Sequence, residues 1–226
     1  MTATNSSSLS RPRVLVALAL AFALPATVSA INPENLNTIS FSNKTGYDIW
    51  YLYLSPGDSS LWGTDILGAE NTLDSGGKLD FYIHYPDACN TFDIMAVDYS
   101  DDAYIVSDFE ICDDVPASVS FTTKNEVSGA PEFDLIEVQL TNETGFELWY
   151  LFMSPEDSQM WGVDQMDSGT TLGTGKTISL LVHDSGSIFD VHAVDSDDDS
   201  YTLQIDLGAQ VGGELQVAIE FDDIDL

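Results

Sequence analysis

The chain has 226 residues, 44% of them hydrophobic and 11% aromatic, and sets six Lys and Arg against 38 Asp and Glu for a formal net charge of −32. That balance excludes nucleic acid and anionic membrane surfaces as direct partners, since both are held through basic patches, and leaves cations, basic protein surfaces or a high-salt habitat. The apolar fraction is too high for a disordered acidic tail, so the sequence predicts a folded protein with an acidic skin.

Residues 1–30 read as a signal peptide. Arg11 and Arg13 form a basic start, residues 14–24 are apolar, and Val28-Ser29-Ala30 suits cleavage after Ala30. Export to the periplasm or the exterior follows, leaving four Lys against all 38 acidic residues. No later apolar run is long enough for a membrane span.

Strand candidates then come at residues 39–41, 49–54, 79–85, 92–97, 104–107 and 119–122, each rich in β-branched or aromatic residues and roughly alternating. Asn43-Lys44-Thr45-Gly46, between the first two, has the Asn and Gly of a tight turn. It also matches the N-x-T glycosylation pattern, but the turn is the preferred reading. Residues 55–65, SPGDSSLWGTD, form the most distinctive loop, and residues 58–67 are the best short-helix candidate, capped by Asp58 or Ser59. Cys89 and Cys112 are the two cysteines of the chain, and in an exported protein a disulfide between them is the natural expectation. Asp98, Asp101 and Asp102 fall at a hairpin tip. A linker is expected at residues 126–134, where Ser128-Gly129-Ala130-Pro131 interrupts the pattern.

Everything then repeats. Residues 43–65 (NKTGYDIWYLYLSPGDSSLWGTD) return 99 positions later as residues 142–164 (NETGFELWYLFMSPEDSQMWGVD), with 13 of 23 positions identical. FDIMAVDYSDDAY at 92–104 returns as FDVHAVDSDDDSY at 189–201. A period this long marks a duplicated unit, not a solenoid turn. The predicted class is therefore all-β: two tandem antiparallel β-sandwich domains, C2-like or Ig-like in size, at residues 31–125 and 135–226.

The duplicated acidic residues are the candidate site. Asp58 and Asp65 in the loop, with Asp98, Asp101 and Asp102 at the hairpin tip, correspond to Asp157, Asp164, Asp195, Asp198 and Asp199. Clustered carboxylates repel one another, and Ca²⁺ reverses that sign by taking six to eight oxygens. By analogy with a C2 sandwich, the two loops of each copy would gather at one end to hold the ion, with Trp62 packed beneath. An EF-hand count over Asp195, Asp197, Asp199 and Asp206 fails, because Ser200 stands where Gly is required and the following segment reads as a strand. No nucleophile, zinc or phosphate-loop motif accompanies His84, His183 or His192, so the chain is expected not to be an enzyme. Two alternatives to calcium remain: an acidic, salt-adapted surface-interaction module, and a carbohydrate-binding module using Trp50 and Trp149.

The pattern N-x-T-G, aromatic strand, S-P-x-x-x-x-x-W-G-x-D, then V-D-x-x-x-D-x-Y resembles a repeat of exported bacterial proteins. The resemblance spans nearly all of the mature chain, once per copy, and implies the β-sandwich fold and export. That family also pairs two cysteines around the acidic hairpin, which Cys89 and Cys112 match in the first copy.

Overall fold

The computed structural model describes residues 36–225 apart from 70, 114, 129–133, 167–168, 184–185 and 210–212. The signal peptide at 1–30, and most of the linker, lie outside these. Among the described residues the chain is all β, with single 3-10 turns at Leu207–Ala209 and Phe221–Asp223 and no α-helix. Among these residues no helix is long and apolar enough to cross a membrane, which bears on helical spans alone.

The first copy supplies β1 (Asn37–Lys44), β2 (Ile49–Pro56), β3 (Lys78–His84), β4 (Cys89–Asp98), β5 (Ala103–Cys112), β6 (Ala117–Thr122) and the two-residue β7 (Glu126–Val127). The second supplies β8 (Leu135–Glu143), β9 (Leu148–Pro155), β10 (Gly162–Val163), β11 (Thr177–His183), β12 (Ile188–Asp195), β13 (Ser200–Asp206) and β14 (Glu214–Glu220). Glu126 and Val127, the start of the expected linker, thus pair with β5.

Each copy builds two sheets with one topology: β3-β1-β6 and β2-β4-β5 in the first, β11-β8-β14 and β9-β12-β13 in the second. The registers coincide, with Asn37 opposite Ile83 and, 99 residues on, Ile136 opposite Val182. The expectation of wholly antiparallel sheets needs correcting, because β1 pairs β6 in parallel and β8 pairs β14 in parallel. Parallel neighbours need a crossover, and here the excursion through the second sheet provides it. Alternation then sends one face of each sheet inward. Phe41, Phe81 and Phe121 of one sheet meet Leu52, Ile94 and Tyr104 of the other in a single hydrophobic cluster. A corresponding cluster in the second copy joins Val138 and Leu180 to Leu151, Val191 and Tyr201. The arrangement is β-sandwich-like.

Cys89 and Cys112 stand opposite each other on β4 and β5 and are disulfide-bonded, with Cα atoms 4.0 Å apart. The bond clamps the open end of that hairpin and fits an exported protein.

The copies do not merely sit side by side. Residues 58–67, the short-helix candidate, form no helix. They reach across to pair with the other copy, while Ile66 and Leu67 return to their own core, with Ile66 N donating to Leu52 O. Thr64 bridges Val182 of β11, while β10 pairs with β3, placing Gly162 opposite His84 and Val163 opposite Ile83. Backbone bonds reinforce both crossings: Asp65 N donates to Leu181 O at 2.8 Å, and Asp164 N to Tyr82 O at 3.0 Å. Their side chains follow. Met160 belongs to the first copy's core, and its equivalent Leu61 packs against the second's. Gly63 and Gly162 make the exchange possible by taking φ of 75° and 71° at its tightest point.

Candidate functional site

Among the described residues, the ten candidate acidic residues bring no three carboxylates together as a ligand set. Asp58 follows the C-terminal end of β2, whereas Asp98 pairs with Ile49 at its N-terminal end. Eight strand residues, on the order of 25 Å, lie between them. Asp157 and Asp195 are separated in the same way by β9. The expectation that both acidic loops of a copy meet at one end is therefore corrected for Asp58 and Asp157. Asp65 and Asp164 fold back beside Leu52 and Leu151, and the hydroxyl of Tyr150, its pKa raised by burial and by Tyr82, also feels both Asp164 and Asp198.

Four of the ten are buried acceptors. Asp98 Oδ1 accepts from the backbone N–H of Ser100 and Asp102, and Oδ2 accepts from the Tyr104 hydroxyl at 3.0 Å. Asp195 does the same with Asp197, Asp199 and Tyr201. Asp65 Oδ1 accepts from Leu52 and Leu67 N–H, and Asp164 Oδ1 from Leu151 and Met166. Asp101 and Asp198 hold φ of 62° and 65°, the left-handed turn position that Asp tolerates better than most residues. Asp58 joins the copies, accepting from Ser158 Oγ at 2.7 Å and Gln159 N at 3.1 Å. Asp102, Asp157 and Asp199 stand exposed. The one group of three potential ligand side chains converging among the described residues is Cys89, Glu110 and Cys112, and two of those are the disulfide.

The rest of the repeated loop is structural too. Ser55 and Ser154 donate to the carbonyls of Leu61 and Met160, and Ser59 and Ser158 accept from the N–H of those same residues. Asn43 is fully buried, its amide donating to Tyr47 O and Leu73 O while its oxygen accepts from Thr45; Asn142 repeats the set. The N-x-T-G turn is thus a folding element whose Asn amide is fully engaged.

At the seam the outer faces of β9 and β12 are covered as well as the inner ones. Phe152, Trp161 and Val194 cluster there with Leu36 of the first copy, and Tyr82 packs edge-on against Tyr150. Trp161 stacks on His192 at 4.8 Å. The cleft between the copies, between Leu54 and Ile66 on one side and Met153 and Trp161 on the other, has a volume of about 270 Å³ including open solvent. Its enclosed part is about 10 Å³, room for about one water and far short of a small-molecule pocket.

Two seam groups titrate unusually. Burial raises Asp65 to about 7, against the lowering effect of the Leu52 and Leu67 amides, and its Oδ2 has no hydrogen-bond partner. Burial lowers His192 to about 4, partly offset by Asp225 and reinforced by His84. The signs oppose. Asp65 binds its proton more tightly when folded, so its contribution is full below pH ~4 and is lost as pH rises to about 7. His192 binds its proton less tightly when folded, so its contribution is full above pH ~6.5 and is lost toward pH 4. Melting temperatures from pH 4 to 8 should therefore show Asp65→Asn gaining on the native chain as pH rises, and His192→Gln gaining as pH falls.

One surface remains that folding does not explain. In β2 the register steps from Ile49–Asp98 to Tyr51–Val97, so Trp50 is an extra, bulged residue. In β9 it steps from Leu148–Asp195 to Tyr150–Val194, bulging Trp149. Both indoles are about half exposed, at 49% and 46%. A β-bulge re-aims a side chain, and bulges concentrate next to functional sites. Tyr47 and Tyr99 lie at the same end of the first copy, rings 6.0 Å apart and both exposed. In the second copy Phe146 replaces Tyr47, but Ser196 stands where Tyr99 would be. Phe221, from the C-terminal 3-10 turn, supplies the missing ring 6.3 Å from Phe146. The sequence pointed to Trp50 and Trp149; Tyr47 and Phe146 were visible as an aromatic retained at a turn, whereas Phe221 had no counterpart to mark it.

No protein-family model and no curated protein sequence matches the chain. Among solved structures, a "putative adhesin" from Bacteroides ovatus ATCC 8483 aligns over 83% of this chain and 91% of its own, at 7% identity and a TM-score of 0.19.

Proposed function

We propose that the chain is an exported, non-enzymatic surface-interaction protein, made of two β-sandwich repeats, that binds through the bulged-tryptophan face of each copy. The observation carrying this reading is the duplicated bulge at Trp50 and Trp149. A bulge interrupts a ladder, and an exposed Trp gains little from folding, yet both copies keep both. The aromatic pair beside each bulge points the same way, since the second copy assembles it from a different segment. Calcium takes a secondary place, because Asp65, Asp98, Asp164 and Asp195 are engaged by backbone amides and by Tyr104 or Tyr201, and Asp58 by the other copy.

The test is an array carrying oligosaccharides and peptides, probed with the native protein and with Trp50→Ala/Trp149→Ala. Because both indoles are half exposed, the double variant should keep its fold and melt within a few degrees of native. It should lose the native chain's binding signals. Signals that survive the double substitution, or an array blank with native protein, would sink the reading. Calcium at millimolar concentration should shift the native melting temperature no more than sodium chloride of equal ionic strength.

A further inference from the structure

We infer that the face of the second copy takes a cationic polypeptide segment, its Lys and Arg side chains lying across Trp149 and the Phe146–Phe221 pair; this rests on the reading just proposed and names its partner class. Charge complementarity selects this occupant. The segments that build the face, residues 143–149, 195–199 and 220–223, contain Glu143, Glu147, three exposed aspartates at 197–199, and Glu220, Asp222 and Asp223. Against these eight carboxylates stands one exposed lysine, Lys176, in the adjoining turn whose Thr174 donates to Phe146 O. No lysine closes an ion pair with any of them: among the described residues, the one Lys–carboxylate pair is Lys78–Asp80, in the first copy.

The acidity is coupled to the rings. Trp149 Nε1 donates to Glu147 Oε2 at 3.4 Å, and Glu147 Oε1 accepts from Thr171 at 2.8 Å, so a carboxylate is fixed at the indole edge while about half of the side chain stays open. Ser196 N donates to Glu147 O at 3.1 Å, tying the acidic hairpin tip to the same strand. An aromatic face bordered by carboxylates favours a guanidinium or ammonium twice over, through the ring quadrupole and through direct charge. A neutral sugar would use the rings and leave the carboxylates unpaired. The first copy is less selective for cations, because Lys44 occupies the position of Glu143; that lysine turns to Ser120 Oγ at 3.1 Å.

The experiment is a fluorescence-anisotropy titration of the full mature chain into a dye-labelled peptide of alternating Arg, Lys and Gly. An acidic peptide of equal length and a labelled neutral oligosaccharide serve as the other arms. The cationic peptide should bind, weaken at least tenfold with Trp149→Ala or Phe221→Ala, and weaken similarly with Glu143→Gln/Asp222→Asn. Asp87→Asn/Glu110→Gln removes two exposed carboxylates from the other end of the first copy's sheet and should leave binding unchanged. Equal losses from the two carboxylate pairs would mean a general polyanion effect and overturn the inference. Oligosaccharide binding that depends on Trp149, without peptide binding, overturns the partner class but keeps the face as a binding site. If no arm depends on Trp149, both readings fall together.

Discussion

Asp195→Ala should cost the fold about 3–5 kcal/mol, and the loss should be the same in calcium and in chelator. The carboxylate accepts from two backbone amides and the Tyr201 hydroxyl. The amides lie at an exposed hairpin tip and can recover water, but Tyr201 is fully buried and its hydroxyl is left with Thr144 alone. Hydrogen bonds to a charged acceptor contribute about 1.5–3 kcal/mol each, with incomplete additivity, which sets the range. Asp195→Asn keeps one carbonyl oxygen for the amides and should cost less than half as much. Tyr201→Phe removes the bond to Asp195 and the contact with Thr144 but leaves the two amide bonds, and should cost about 1–3 kcal/mol. Urea unfolding of the three variants, with calcium and with chelator, distinguishes a folding acid from a metal ligand. A ligand would leave stability in chelator untouched and abolish the gain from calcium.

The second large effect is at the seam. Trp161→Ala should destabilise the chain by about 3–5 kcal/mol, the usual cost of emptying a buried aromatic site, whereas Trp62→Ala should cost roughly 1–2 kcal/mol. The two are sequence equivalents in unequal surroundings. Trp161 is 3% exposed and lies on the His192 ring; Trp62 is half-buried in a cluster with Tyr53 and Met95, and Met95 holds the position of His192. Both variants should unfold in one calorimetric transition, because each loop closes the other copy's core. Two resolved transitions in Trp161→Ala would show that the copies hold together without the exchange.

Much of the fold was legible. Alternation at residues 39–41, 79–85 and 119–122 marked β1, β3 and β6, since each has one buried face. The disulfide was expected from two cysteines in a chain read as exported. What the pattern could not show was where a covered face finds its cover. Residues 52–56 are buried on both sides, a composition that reads equally well as a loop approach or a core strand until the other copy is placed against it. The same gap explains the candidate site. Retention of Asp65, Asp98 and their equivalents in both copies did mark something, but a carboxylate kept to bind an amide looks identical in sequence to one kept to bind a cation. Recurrence located the residues; only the positions of Leu52, Ser100 and Tyr104 assigned the role.

Joining the two copies on one polypeptide has an evolutionary consequence. Two identical subunits that exchanged these loops would share every mutation, since one gene would write both sides. Here each side can drift alone while the partner stays at high local concentration through the linker. The differences already present follow that freedom: Met95 faces one seam and His192 the other, one copy is clamped by Cys89–Cys112, and the lone aromatic at 221 stands in for Tyr99. A symmetric scaffold has thereby become able to offer two unlike surfaces, with Lys44 at the edge of one and Glu143 at the edge of the other.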